Sequence, residues 1–156
     1  MDKQKVIISV GLIAVEIILL ITGFGEISNG SLSITILHIP VILAAILLGL
    51  PYGGILGGIF GIGTMVAASG YGAETLDHQF VNPVLSIVPR LLIALAAWFV
   101  YRFLKKHMDD DTISSECIAG GGAALAGTVT NTVAVTILLC ICLLYTSDAA
   151  DDSLRV

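Results

Sequence analysis

Charge is scarce in this sequence. Seven Lys or Arg and twelve Asp or Glu make up 12% of its 156 residues, about half the charged fraction of an ordinary soluble domain. The formal net charge is −5, which has the wrong sign for attracting a nucleic-acid backbone. The composition therefore excludes an ordinary soluble domain and predicts no nucleic-acid partner.

Cysteine is equally sparse, and the motifs of common catalytic sites do not occur. Cys117, Cys140 and Cys142 match no zinc spacing, and Cys-Ile-Cys is too close for a normal disulfide, so all three are expected to fill small apolar spaces in helices. No span contains His-Glu-x-x-His, Gly-x-Ser-x-Gly or paired Asp, and the chain has no Gly-x-x-x-x-Gly-Lys-Ser/Thr. We expect no enzyme activity, no metal and no ATP or other cofactor site in this chain.

Apolar residues, by contrast, make up 56% of the chain, and they fall in runs of the length that crosses a hydrocarbon core of ~30 Å. The sequence predicts an all-α, polytopic membrane bundle with a single membrane domain over residues 1–142. Its five predicted spans are residues 6–24, 34–50, 53–68, 83–104 and 118–139.

The basic residues predict how the chain is oriented. With a cytoplasmic N-terminus, one side of the membrane collects Lys3, Lys5, Arg102, Lys105 and Lys106. The opposite loops, residues 25–33 and 69–82, hold Glu26, Glu74 and Asp77 and no Lys or Arg. This positive-inside pattern predicts that the N-terminus is cytoplasmic and that both loops are external.

Residues 34–50 and 53–68 are predicted to fold back on each other through a tight turn at residues 49–53. In the second of these helices Gly53, Gly57 and Gly61 recur at four-residue spacing, as do Gly54 and Gly58. Small residues at this spacing let two helix backbones approach closely. They predict either packing within the protein or sliding contact with a partner.

Three polar residues on separate spans are predicted to lie at a similar depth below the external loops. A rise of 1.5 Å per residue places His38, Arg90 and Asn131 in the outer half of the membrane, which suggests a polar pocket open to the outside. Arg90 suits a carboxylate or phosphate of a ligand, or it pairs with a helix carbonyl or with Glu16. His38 either donates to a ligand or packs beside Pro40. The hydroxyl of Thr128 and the amide of Asn131 fit ligand binding and helix–helix hydrogen bonding equally well.

Glu16 is predicted to lie near the middle of the first span. An acidic residue at that depth fits the proton or cation site of a secondary transporter, or a structural role in protonated or paired form. Trp98 and Tyr101, near the inner end of the fourth span, fit an interfacial aromatic belt.

A series of short motifs resembles the substrate-binding S components of energy-coupling factor (ECF) vitamin transporters. The first group is Thr35-x-x-His38-Ile-Pro40-Val41 with Ala44-Ala45, Leu48-Gly49, Tyr52-Gly53 and Gly57-x-x-Phe60-Gly61. The second is Asn82-Pro83-x-x-Ser86-x-x-Pro89-Arg90 and Ala126-Gly127-Thr128-x-Thr130-Asn131-Thr132. Together they cover about residues 6–139 in the order and spacing of that family.

This resemblance implies six membrane helices in a bacterial cell membrane and capture of a small water-soluble vitamin from outside. It also implies docking onto a transmembrane coupling subunit driven by two ATPase subunits, which hydrolyse the ATP. The Thr-x-x-His-Ile-Pro form is closest to pantothenate-associated members, with folate and cobalamin as alternatives. The candidate substrate-binding residues are His38, Asn82, Ser86, Arg90, Thr128 and Asn131. The candidate partner contacts are Val10, Gly11 and Ala14, where the family has an Ala-x-x-x-Ala seam.

The chain departs from the family pattern mainly at its C-terminus, where a sixth span is missing. Residues 143–156 are low in hydrophobicity and acidic, and they resemble the translation of sequencing-adapter read-through; a genuine external tail is the alternative. A full-length protein is therefore the better object for binding studies. The competing function is an autonomous secondary transporter or channel using Glu16, and an intramembrane enzyme ranks last because its motifs are absent.

Overall fold

The computed structural model describes residues 3–23, 26–28, 33–70, 76–108 and 112–153. Five α-helices occur in this part of the chain: α1 Lys3–Thr22, α2 His38–Leu47, α3 Leu50–Ala68, α4 Pro83–His107 and α5 Ile113–Ser153. Between them lie the short strands β1 Glu26–Ser28 and β2 Ser33–Thr35, and a 3₁₀ helix, Leu76–Val81. Glu74, the Asp109–Asp111 triplet and residues 154–156 lie outside the described residues.

Four of the described helices, α1, α3, α4 and α5, are long and apolar enough to cross a membrane. The predicted all-α membrane protein is confirmed. Successive helices alternate in direction, so β1, β2 and the 3₁₀ helix share one end of the bundle, here called the hairpin end. The turn between α2 and α3 lies at the opposite end.

The second predicted span, residues 34–50, is wrong at its start. Only His38–Leu47 is helical, and Ser33–Thr35 pairs antiparallel with Glu26–Ser28. Proline has no N–H, so it is favoured in the first helical turn and costs a backbone hydrogen bond further inside, as Pro89 does within α4. Pro40 therefore fits a helix that begins at His38 and disfavours one that begins earlier. His38 starts its helix rather than lying a turn below the helix end.

The turn after α2 is also tighter than the predicted one at residues 49–53. Gly49 has φ 102°, a backbone conformation that only glycine adopts without strain, and Pro51 already occupies the first turn of α3. The reversal is thus made by Leu48 and Gly49, and Tyr52 and Gly53 are helical.

The fifth helix is longer than the predicted residues 118–139. It runs from Ile113 to Ser153, through most of the segment expected to interrupt it. That segment contains no Gly and no Pro, and its Ala and Leu residues are good helix formers. Acidity alone lowers the hydropathy without ending the helix.

The predicted glycine packing is confirmed for one of the two glycine series in α3. A methyl group at Gly53 would lie 2.7 Å from Ala45 Cβ of α2, and one at Gly57 would lie 2.7 Å from the Arg90 carbonyl oxygen of α4. At Gly61 it would lie 2.9 Å from the backbone of Ile87. Gly54 and Gly58 have no such neighbour within 4 Å. The core of the bundle therefore forms around one glycine face of α3.

We expect Gly57→Ala to destabilise the fold, because its methyl group must displace the α4 backbone. Overpacking of this kind costs about 1–3 kcal/mol. The thermal unfolding temperature of the detergent-purified protein measures the effect. Gly58→Ala is the matched control and should leave that temperature unchanged or slightly raised, since alanine favours the helix. Equal unfolding temperatures for the two variants would contradict the packing.

Candidate functional site

Arg90 lies inside the bundle near the hairpin end of α4, where only 6% of it is exposed. Its guanidinium carbon lies 5.0 Å from the ring centre of Phe60 on α3 and 5.2 Å from that of Phe80 in the 3₁₀ helix. Nη1 donates a hydrogen bond of 3.2 Å to the carbonyl oxygen of Leu85. A cation held by two aromatic rings and a carbonyl keeps a fixed direction. The site is therefore built around a preorganised guanidinium.

Ser86 and Asn82, two of the predicted substrate-binding residues, lie where the segment that carries Phe80 joins α4. The buried Ser86 hydroxyl donates to the carbonyl oxygen of Phe80. The exposed Asn82 accepts from the Val84 backbone N–H at 3.0 Å and caps α4, as asparagine commonly does at this position. Ser86 thus positions the ring that stacks on Arg90, whereas the Asn82 side chain fixes the adjoining start of α4.

His38, Arg90 and Asn131 lie about one helical turn from a single three-helix contact. A methyl group at Gly127 of α5 would lie 3.0 Å from Ile42 of α2 and 3.3 Å from Ile93 of α4. His38 precedes Ile42 by four residues, Arg90 precedes Ile93 by three, and Asn131 follows Gly127 by four. Because α2 and α4 run opposite to α5, all three steps lead toward the hairpin end. We call this level the polar layer.

The predicted span 118–139 placed Asn131 late in the fifth helix and therefore near the outside. In the longer α5, Ile113–Ser153, Asn131 lies near the middle instead. Its Oδ1 atom is buried and has no hydrogen-bond partner among the described residues. An acceptor of this kind is costly to leave unsatisfied. Asn131 therefore has hydrogen-bonding capacity to offer a ligand.

His38 and Thr128 line a groove of about 320 Å³ between α2 and α5. Thr128 is exposed, and its hydroxyl donates to the carbonyl oxygen of Ala124 at 2.9 Å. The structure thus brings these two predicted site residues together, on the α2 side of the polar layer. Asn82 lies apart from them, at the start of α4.

Glu16 is completely buried, and the expected alternative of an Arg90–Glu16 pair is wrong. Neither carboxyl oxygen has a hydrogen-bond partner within the described part of the chain. The other expected alternative for Arg90, a helix carbonyl, is the one observed. Glu16 therefore remains a buried polar group without a described structural role.

The predicted partner contacts lie on the opposite side of α1. Val10, Gly11 and Ala14 are exposed, and nothing lies within 4 Å of a methyl group placed at Gly11. The helix therefore presents one packed face and one open face.

Sequence reasoning missed the two aromatic rings and a polar cluster at the other end of α4. Phe60 belongs to the Gly57-x-x-Phe60-Gly61 motif and Phe80 lies two residues before Asn82, but a phenylalanine in an apolar chain gives no sign of a polar site. At the end remote from the hairpin, Glu116 of α5 accepts from Tyr101 at 2.7 Å and pairs with Lys105 at 2.6 Å. Tyr101, expected to be an interfacial aromatic, also ties α4 to α5. Arg102 stacks 5.1 Å from the Trp98 ring.

No group of three His, Cys, Asp or Glu side chains that could hold a metal occurs among the described residues. The donors of the polar layer are a guanidinium, an imidazole, a hydroxyl and an amide. This chemistry suits an organic ligand with an anionic group and hydrogen-bonding groups.

Comparison with known proteins identifies the family. Residues 3–153 match the family described as the substrate-specific component of ECF transporters. The chain belongs to that family. It is also 33% identical over 117 residues to the pantothenic acid transporter PanT of Lactococcus lactis subsp. cremoris (strain MG1363). The match covers 65% of this chain and 53% of that protein, so the chain spans about half the length of this relative. The chain is thus a substrate-specific transporter component by family, and four of its described helices are long and apolar enough to cross a membrane.

We expect Ser86→Ala to loosen the 3₁₀ helix from α4, because the Phe80 carbonyl loses a buried donor. The loss of one such hydrogen bond costs about 1 kcal/mol, which should lower the thermal unfolding temperature. The 3₁₀ helix should also exchange its amide hydrogens faster. Ser69→Ala is the control, since the Ser69 hydroxyl donates to the Val66 carbonyl oxygen within its own helix end. Unchanged exchange in residues 76–81 of Ser86→Ala would contradict the assigned role.

Proposed function

We propose that this protein captures pantothenate at the external face of a bacterial cell membrane, as the substrate-specific subunit of an ATP-driven importer. The polar layer is the observation that carries this proposal. It places a fixed cation and hydrogen-bonding side chains from separate helices at one level of an otherwise apolar bundle. The proposed substrate-binding residues are His38, Asn82, Ser86, Arg90, Thr128 and Asn131.

Arg90 is the anchor for an anionic group of the vitamin. Its guanidinium forms a planar fork that matches a carboxylate, and the stacked Phe60 and Phe80 rings fix the direction of that fork. Asn131 and Thr128 offer hydrogen bonds to the uncharged part of the cargo, and His38 lines the α2 side of the site. Ser86 contributes mainly by holding Phe80, and Asn82 by fixing the start of α4.

The choice of pantothenate is supported by the named relative and by the carboxylate that pantothenate carries. The relative is a pantothenic acid transporter. Folate also carries carboxylates and is the next candidate, and cobalamin the third.

Membership of the ECF family supports an energy source in partner subunits. We propose a membrane coupling subunit and two ATPase subunits that hydrolyse ATP, with the loaded subunit reorienting in the bilayer as they cycle. The open face of α1, formed by Val10, Gly11 and Ala14, is the proposed contact with the coupling subunit. The distribution of Lys and Arg supports a cytoplasmic N-terminus, which puts the hairpin end outside.

An autonomous secondary transporter working through Glu16 is the second candidate, favoured by the complete burial of that carboxyl group. It predicts proton-coupled uptake by the isolated full-length protein in vesicles without ATPase subunits. The proposed importer subunit should bind its vitamin under those conditions but should not accumulate it.

A panel of vitamins titrated against the full-length protein tests the cargo, with pantothenate expected to bind most tightly. We expect Arg90→Ala to weaken that binding roughly 30-fold or more, because truncating one member of a buried charge pair costs about 2–5 kcal/mol. Arg102→Ala is the control, because Arg102 lies at the other end of α4, where it stacks on Trp98. The Arg102→Ala variant should bind pantothenate as tightly as wild type. Unchanged affinity in Arg90→Ala would remove Arg90 from the site.

A larger side chain on the open face of α1 tests the partner contact. We expect Gly11→Leu to reduce co-purification with the coupling subunit severalfold and to leave vitamin affinity unchanged, because Gly11 has open space around it in this chain. Gly58→Leu on α3 is the control, since Gly58 is equally open but lies outside the proposed contact. Equal assembly of the two variants would place the docking surface elsewhere.

A further inference from the structure

Glu16 lies at the centre of the packed face of α1. Leu12, Ile13, Leu19 and Leu20 all pack against the hydrophobic core, and they flank Glu16 at three- and four-residue spacing. These positions form one helical stripe. The carboxyl group therefore points into the bundle, away from the open face of the same helix.

The register of α1 against α3 places Glu16 at about the level of Phe60. The Leu20 side chain occupies the space beside Gly63, where an added methyl group would meet it at 2.5 Å. Both helices run in the same direction, so one turn back from Leu20 is Glu16, and one turn back from Gly63 is the segment containing Phe60. Phe60 is the ring on which Arg90 stacks. Glu16 thus lies at the level of the proposed cargo site.

The two helices that pack on α1 among the described residues, α2 and α3, offer Glu16 no full counter-charge. Helix α3 contains no Asp, Glu, Lys, Arg or His, and the only such residue in α2 is His38. An ionised carboxylate without a partner is very costly inside a bundle in hydrocarbon, so the uncharged carboxyl is the form that this position tolerates. An uncharged carboxyl both donates and accepts hydrogen bonds.

The hydroxyl side chains that are buried or half-buried in α1, α3 and α4 are satisfied locally. Ser9 on the same face of α1 donates to Val6, Thr64 of α3 donates to Phe60, and Ser86 of α4 donates to Phe80. Glu16 has no hydrogen bond to any described residue. A fully buried group that departs from this pattern has unused capacity for a ligand.

From these observations we infer that Glu16 is a cargo-binding residue whose uncharged carboxyl group hydrogen-bonds a hydroxyl or amide of the vitamin, while Arg90 holds its anionic group. The inference rests on the proposed function and makes it more specific. The cargo must carry an anionic group and, at some distance from it, an uncharged group that donates or accepts hydrogen bonds. Helix α1 then contributes to recognition as well as to docking.

Glu16→Gln and Glu16→Leu separate this role from a structural one, with binding of pantothenate to the full-length protein measured by calorimetry. Glutamine keeps an uncharged donor and acceptor of the same shape, so binding within threefold of wild type is expected. Leucine removes both, and we expect roughly tenfold weaker binding or worse. The unfolding temperature of cargo-free Glu16→Leu should equal or exceed that of wild type, because a buried polar group without a partner is replaced by an apolar one.

Ser9→Ala is the matched control on the same face of α1 and should bind normally, and Glu16→Met provides a second apolar variant. Wild-type affinity in Glu16→Leu or Glu16→Met would overturn the inference. So would equal losses in Glu16→Gln and Glu16→Leu, since binding would then require a carboxyl group that ionises rather than an uncharged hydrogen-bonding group. Loss of folding in both apolar variants would also overturn it, by showing that the carboxyl group stabilises the cargo-free fold. If the wild-type protein bound no vitamin of the panel, the proposed function itself would fail, together with this inference.

Discussion

The close approach of the α3 and α4 backbones is the contact on which the rest of the bundle depends. At Gly57 there is no room for even a methyl group, because the carbonyl oxygen of Arg90 occupies that space. A helix pair at this distance brings Phe60 beneath the Arg90 guanidinium. The second ring, Phe80, reaches Arg90 from the other side through the Ser86 hydrogen bond to its backbone. A packing constraint in the middle of the membrane therefore sets the direction of the one strongly charged group in the site.

The site proposed above combines rigid and locally satisfied groups with a few that still have hydrogen-bonding capacity. Arg90 is fixed by two rings and a carbonyl, and Thr128 bonds within its own helix. Glu16 and the Asn131 oxygen, by contrast, are buried without a hydrogen bond to any residue described. Preorganised charge with unsatisfied neutral groups nearby favours a ligand that carries both kinds of chemistry.

Much of this fold could be predicted from the sequence, because the bilayer imposes a simple length and hydropathy rule. The glycine spacing of α3 also indicated a close contact, although the sequence did not distinguish the packed series at Gly53, Gly57 and Gly61 from the open pair, Gly54 and Gly58. The start of α2 was missed, since the apolar run begins at Ile34 while residues 33–35 form a strand and the helix begins only at His38. Phe60 and Phe80 were missed as site residues for a similar reason. An aromatic ring in an apolar helix carries no sequence signal that distinguishes core packing from stacking on a cation.

The shortness of α2 has a consequence for the backbone that precedes it. Ten residues span about 15 Å, half of a ~30 Å hydrocarbon core, so the backbone of β2 begins at a depth where other helices are still surrounded by lipid. Non-helical backbone is tolerated at that depth only where protein or water covers it. Pairing of Glu26–Ser28 with Ser33–Thr35 satisfies part of that backbone. The chain just before His38 is thus strand backbone that needs polar partners, whereas an apolar helix of full length satisfies its own backbone.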